Sequence, residues 1–371
     1  MNDTTAESVY LDRISRVRKE MTRTGVDALI LSLGHDLPYL TGYLAMPLER
    51  LTLLVVPRDG QVSLIIPKLE APRVRAMPSV FTLVPWNETE DPVLIAHQLL
   101  GSARTIAVGD QMWSRFLVDL LLHRADNHFV RSVVVMEALR SRKDNAEIAA
   151  LIAAGAAADR VAAQLHAGDI PLVGRAEAEV SADISARLIA EGHQKVNFAI
   201  VAAGENAASP HHHAGDRIIR HGEIVLCDFG GTMNGYCSDI TRCVHIGEPP
   251  ADIAAAYAVL MQAQAAGVAA GAVGTSCENV DSVTRAIIDA AGYGEYFVHR
   301  TGHGIGMEEH EDPYMVSGNI TPIAAGHAYS VEPGIYVPGK WGMRLEDIVV
   351  ATENGPQAVN HANHALVVLD R

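Results

Sequence analysis

Two carboxylates flank a turn in the stretch CDFGGTMNGYCSDITR, residues 227–242. An Asn-Gly pair favours a two-residue hairpin, because both central positions need positive φ. A turn at Asn234-Gly235 sets Met233 opposite Tyr236, Gly230 opposite Asp239 and Asp228 opposite Thr241. Side chains alternate faces along a strand, so Asp228, Asp239 and Thr241 share one face. The two aspartates are then diagonal neighbours, roughly 7–8 Å apart at Cα and closer at the carboxylates. Like charges at that spacing lose a proton, bind a cation or turn out into water. Two solvated strand acids are the plain alternative. The apolar run IVLC before Asp228 argues for burial, and burial argues for a cation. The same register puts Cys227 and Cys237 on opposite faces, which excludes them as a disulfide or as joint ligands.

A second acid pair lies further along. Glu332 in SVEPGIY and Glu346 in MRLEDIVV have their midpoint at Gly339, inside Pro338-Gly339-Lys340. A hairpin centred there brings the two glutamates face to face within about a residue of register. Asp347 has the opposite parity and is left out. Between the hairpins runs VHRTGHGIGMEEHEDP, where His303 is bracketed by Gly302 and Gly304, with Gly306 just beyond. Glycines there let the backbone approach a site closely. Asp228, Asp239, His303, Glu332 and Glu346 then form one set: four carboxylates that offset two divalent cations, with one imidazole. Such a donor set suits Mn²⁺, Fe²⁺, Co²⁺ or Zn²⁺ over a thiolate-seeking metal. Bridging carboxylates would hold two metals about 3.5–4 Å apart, sharing a water acidified to hydroxide near neutral pH.

The elements that position these residues follow from patterning. The 371 residues, 49% hydrophobic and 20% charged, suffice for two globular domains. The net charge of −15 disfavours nucleic acid or an anionic membrane as partner. The first residues are polar with no apolar leader segment, and no apolar run is expected to span a bilayer. Cys227, Cys237, Cys243 and Cys277 form no CxxC pair, so a cytoplasmic chain with reduced thiols is expected. Residues 1–138 are expected to form an α/β domain. It holds a helix over 10–24, strands at 28–33, 51–57, 61–67 and 105–110, a hairpin turn at Arg58-Asp59-Gly60 and a helix near 113–123. VVVMEAL (133–139) closes it. Residues 139–371 begin with a long alanine-rich helix capped by Asp144 and Glu147. A helix near 175–191 follows, then strands near 196–203, 223–229 and 236–246. After Pro249-Pro250 come helices near 251–270 and 277–291, then strands near 296–303, 327–336 and 344–351. The layout of helix, helix, strand, hairpin occurs twice, which points to an internally duplicated α/β (α+β) architecture.

The motifs DFGG…YCSDITR, HRTGHGIGMEEHEDP, SVEPGIY and MRLED, in that order, make residues 140–351 resemble the pita-bread metallopeptidases, the family of methionine aminopeptidase, aminopeptidase P and prolidase. The resemblance implies a dinuclear site in a pseudo-duplicated catalytic domain and a creatinase/prolidase-like N-terminal domain. Within the family, the chain looks most like the Xaa-Pro dipeptidase and aminopeptidase P branch. By position, His211 matches the histidine near the substrate carbonyl, while His310 and His299 match two further active-site histidines. Arg344 and Tyr336 match other family positions. His212 and His213 read as loop residues, although His213 stays a candidate for the substrate-binding role.

The implied chemistry is hydrolysis of the bond before proline, in Xaa-Pro dipeptides, by a metal-bridging hydroxide. Manganese is the first expectation, with cobalt, zinc or iron as alternatives. Glu332 is the expected proton carrier, and His211 and His310 the donors to the oxyanion or substrate backbone. His299 and Arg344 are expected to hold the substrate carboxylate or orient ligands. Aminopeptidase P activity on longer Xaa-Pro-Xaa peptides is one alternative, and a metal-dependent small-amide hydrolase another. Metal-free creatinases and ligand-poor chaperone relatives of the fold lack this donor set. The resemblance also implies a homodimer.

Overall fold

The computed structural model describes residues 3–370. The chain divides between Arg140 and Ser141 into two compact units.

The first unit runs α1 (Asp3–Thr24), β1 (Ala28–Leu31), α2 (Asp36–Thr41), β2 (Leu53–Pro57), β3 (Ser63–Pro67), β4 (Thr82–Trp86), α3 (Pro92–Leu99), β5 (Thr105–Val108), α4 (Ser114–His123), β6 (His128–Arg131) and α5 (Val133–Arg140). Its six-stranded sheet has the order β4-β3-β2-β1-β5-β6. β2 and β3 pair antiparallel around the Asp59-Gly60 turn, while β1, β5 and β6 are parallel. Ile30, Val55, Ile65, Ile106 and Phe116 fill one face of the sheet. VVVMEAL folds as helix α5, because burial of Val135, Met136 and Leu139 gives it one apolar face at helical spacing. β4 and β6 are the strands of this unit that periodicity misses: in HFVR of β6 two apolar residues stand side by side with no alternation.

The second unit opens on α6 (Asn145–His166), α7 (Glu177–Ala190), β7 (Lys195–Ala203), β8 (Ile224–Met233), β9 (Tyr236–Cys237) and β10 (Ile240–Ile246). It continues with α8 (Ala251–Ala270), α9 (Cys277–Ala290), β11 (Gly302–Gly304), β12 (Glu311–Met315), β13 (Ala328–Val331), β14 (Gly334–Val337), β15 (Trp341–Arg344), β16 (Asp347–Thr352), β17 (Gly355–Ala358) and β18 (Val367–Leu369). The helix-helix-strand-hairpin order occurs twice. One half forms the sheet β18-β10-β8-β7, the other β12-β11-β13-β16-β17, and β14-β15 is a separate ribbon. The Asp144 carboxylate accepts from the Ala146 and Glu147 amides, and Glu147 returns a bond to the Asp144 amide, so the capping box starts α6.

Two expectations are corrected here. α6 and α8 are long and apolar enough, by length and composition, to cross a membrane. Their apolar character is that of alanine-rich core helices: Leu151, Ala154, Ala158, Val161 and Leu165 of α6 are all buried, as are Ala256, Leu260 and Ala263 of α8. Of the expected strand 296–303 only the end is one: a 3₁₀ turn at Gly294–Tyr296 leads into irregular chain up to residue 301, and the short β11 begins at Gly302.

Candidate metal centre

Asn234 and Gly235 have φ of 52° and 84°, both in the left-handed region that a two-residue hairpin turn requires. Met233 pairs with Tyr236, and Thr241 pairs with Asp228. Asp228 and Asp239 therefore share a face, and both are buried.

The second hairpin has its centre at Gly339 but does not stay in one sheet. Val331 pairs with Asp347 in the larger sheet, and Gly334 pairs with Arg344 in the β14-β15 ribbon. Glu332 and Glu346 sit opposite each other at the seam between them. There the backbone turns to other partners: the Glu332 amide donates to the Thr301 carbonyl, and Glu346 bridges to Thr241 of the first hairpin. That bridge brings the two hairpins together.

The five side chains converge. Asp239, His303 and Glu346 each offer a ligand atom within 4.8 Å of the others. His303 Nε2 lies 3.2 Å from Glu332 Oε1 and 3.7 Å from Asp239 Oδ2. All line a cavity of about 500 Å³ with Asp228, His211, His299, Arg300, His310 and Arg344.

Burial sets the electrostatics. Desolvation, then the neighbouring carboxylates, hold the Asp239 and Glu346 carboxyls well above the usual range. Burial also pushes Glu332 up to about 7. The His303 imidazole is pushed down to about 3, by burial and then by His310 beside it, so it is neutral and free to act as a ligand. Arg344 is the cation within this acid cluster, and it donates to Asp228 Oδ2. Asp228 Oδ1 and Glu346 Oε1 are buried and accept no hydrogen bond among the described residues. Buried oxygens without a donor are costly unless a cation takes that place. The oxygen-rich donor set with one imidazole thus fits hard or borderline divalent ions.

The other candidate residues separate into two groups. His211 and His310 are exposed at the cavity, and the His310 ring packs 3.9 Å, centroid to centroid, from that of His303. His299 lines the cavity too, but both ring nitrogens are engaged, with the Arg300 carbonyl at 2.7 Å and Tyr336 Oη at 2.8 Å. Arg344 is buried and points its guanidinium at Asp228, Tyr336 Oη and Thr241 Oγ1, so its contacts are those of a group that orients the acids. Tyr336 and His213 do not line the cavity. Tyr336 is buried behind Arg344 and His299, and His213 faces solvent. His212 is held at 2.8 Å by the buried Glu177 carboxylate of α7.

Three residues emerge that motif reading did not assign. Thr241 bonds Glu346 and Arg344, and its face was readable from hairpin parity. Glu177 also accepts from the Ala203 amide and Asn206, and so fixes the loop that carries His211. Asp281 accepts from both the amide and the hydroxyl of Thr301, two residues before His303. Neither acid stands near a motif.

The sequence profile of metallopeptidase family M24 matches residues 147–353, and that of the creatinase/prolidase N-terminal domain matches residues 13–142. The chain belongs to metallopeptidase family M24. It is 42% identical over 369 residues to a probable dipeptidase, PepE, of Mycobacterium tuberculosis, covering 97% of each chain. It is similar to the crystal structure of the dipeptidase PepE from Mycobacterium ulcerans, with TM-score 0.93, 42% identity and 98% of each chain covered. It is also similar to a prolidase from Thermococcus sibiricus, with TM-score 0.91 and 33% identity over 97% of this chain and 99% of that one. The M24 match spans every one of the converging acids and His303.

Proposed function

We propose that this M24 chain is a dipeptidase that hydrolyses the bond before proline in Xaa-Pro dipeptides with the help of two divalent ions. The observation that carries this reading is the buried convergence of Asp228, Asp239, His303, Glu332 and Glu346, two of whose carboxylate oxygens have no hydrogen-bond partner among the described residues. Those five side chains would hold the ions, with manganese the first to test. Bound there, such ions polarise a peptide carbonyl and acidify water.

The remaining work belongs to the chain's own side chains. Glu332 takes a proton from the attacking water and passes it to the leaving proline nitrogen, so that hydroxyl and proton add across the broken C–N bond. Ser330 Oγ, 3.1 Å from Glu332 Oε1, helps hold that carboxylate. His211 and His310, on the open side of the cavity, donate to the carbonyl oxygen as charge develops on it. A proline nitrogen carries no hydrogen, and nothing in this arrangement requires one. The likeness to proteins named dipeptidase and prolidase supports the same substrate class.

The test is turnover of Ala-Pro and Met-Pro against Ala-Pro-Ala, after thorough chelation and after add-back of manganese, cobalt or zinc. Metal-restored cleavage of the dipeptides is expected. Equal activity before and after chelation, or activity on tripeptides alone, overturns the reading.

A further inference from the structure

An Xaa-Pro dipeptide carries its free carboxylate on the carbon next to the scissile nitrogen. That charge must enter a cavity already lined by Asp228, Asp239, Glu332 and Glu346. The two ions held there would be offset by those acids, and a further carboxylate that enters loses hydration, so its binding requires a cation of its own close by.

The cavity offers two arginines and three imidazoles beyond His303's neighbourhood of acids, and their partners can be traced. Arg344 is committed: to Asp228, to Tyr336 Oη at 2.7 Å, to Thr241 Oγ1 at 3.1 Å and to the Pro210 carbonyl at 3.4 Å. His299 has no ring nitrogen left. Arg300 is different. It lines the cavity half-buried, and its guanidinium lies 4.4 Å from the Tyr314 ring centroid. Its one side-chain hydrogen bond goes to His310 Nδ1 at 3.4 Å, and it forms no ion pair among the described residues. A guanidinium has five N–H donors, so most of its fork is open.

Arg300 is also held in place. Arg285 of α9 donates to the carbonyls of Phe297 and His299, and the Asp281 carboxylate of the same helix takes the Thr301 amide. The Arg300 carbonyl accepts from His299. The backbone on both sides is thus pinned, and the Tyr314 ring supports the guanidinium plane. A planar fork held this way is preorganised for a two-point carboxylate contact.

On the dipeptidase reading above, we propose that Arg300 binds the C-terminal carboxylate of the substrate and selects dipeptides over peptides whose proline carbonyl is an amide. In a tripeptide or a C-terminal amide the same position carries a neutral group, and the fork loses its charged partner.

The experiment compares Ala-Pro with Ala-Pro-NH₂ on wild type, Arg300→Gln and Arg300→Lys. It uses kcat/KM on the metal-loaded enzyme and calorimetric binding to the chelated protein. The Ala-Pro to amide ratio is expected to fall about ten- to a hundredfold in Arg300→Gln, as for loss of a charged hydrogen-bonded contact. Arg300→Lys, which keeps the charge without the fork, should recover part of that ratio. A ratio that stays at its wild-type value in Arg300→Gln, in both assays, overturns the assignment while leaving Xaa-Pro cleavage standing. Arg300-dependent binding of Ala-Pro without cleavage under any metal upholds the carboxylate contact and overturns the proposed reaction.

Discussion

Thr241 donates its hydroxyl to Oε2 of Glu346 at 2.6 Å and accepts from Nε of Arg344 at 3.1 Å. It thereby ties down one oxygen of Glu346 and leaves Oε1 buried with no hydrogen-bond partner among the described residues. Arg344 does the same for Asp228, engaging Oδ2 and leaving Oδ1 open. In both acids one oxygen fixes the orientation and the other is presented. Supporting hydrogen bonds of this kind commonly alter metal affinity about 10–100-fold when removed. Thr241→Val keeps the shape and removes the hydroxyl. It should weaken metal binding by about that factor, read by competition with a chelating indicator. Wild-type affinity in the variant would remove Thr241 from this supporting role.

Arg344 carries a second consequence. It is the buried cation against four carboxylates, so it stabilises the metal-free fold, and a bound cation relieves part of that need. Arg344→Met should destabilise the chelated protein by about 3–5 kcal/mol, the usual cost of stripping one partner from a buried ion pair. Saturating metal should recover more stability in the variant than in wild type. Urea melts with and without manganese measure both numbers. Equal losses in the two conditions would mean that only packing had been disturbed.

The convergence of the acids proposed to hold metal was legible in the sequence because two hairpins encode their own register. Asn234-Gly235 fixes the turn, and parity then fixes which side chains share a face, down to the Thr241–Asp228 pair. The second hairpin was readable to its centre, since Gly339 is the midpoint of both Val331–Asp347 and Gly334–Arg344. Its split between two sheets was not readable, because the split depends on Thr241 and Thr301, partners far away in the chain. For the same reason the irregular 296–301 stretch passed for a strand: its backbone groups are taken by Arg285 and Asp281 instead of a ladder. Local pattern reports local pairing. Side chains that bond distant backbone leave no periodic trace.

Gly302 tests the backbone's share in the site. It lies in β11 beside His303, and a Cβ added there would run into the Ser330 carbonyl oxygen. Ser330 is not free to give way, since its hydroxyl accepts from the His303 amide and its backbone pairs with Ile348. Gly302→Ala should therefore cost about 1–3 kcal/mol, as for a steric insertion into packed structure, and displace the imidazole as well. Metal affinity and thermal stability should fall together. A variant that kept both would show that this strand has room the present packing does not suggest.

Acid should loosen the fold through two histidines away from the acid cluster. His166 is pushed down to about 4, first by burial and then by Arg242, and its Nε2 has no partner among the described residues. His327 is pushed down to about 4 by burial, then by Lys143 and Arg142. Both rings are neutral when folded and titrate near their ordinary value of 6.5 when unfolded. The unfolded chain then binds more protons between those values, so stability is full above about pH 6.5 and declines as pH falls toward about 4. Each ring should contribute about 1–2 kcal/mol to that loss once solvent screening is allowed for. The double variant His166→Gln with His327→Gln should lose less stability than wild type between pH 7 and pH 4.5, in urea melts of chelated protein. Using the difference between the two proteins cancels the titration of the buried acid cluster, which is common to both. Parallel pH dependences would show that these imidazoles gain a proton in the fold as readily as in the open chain.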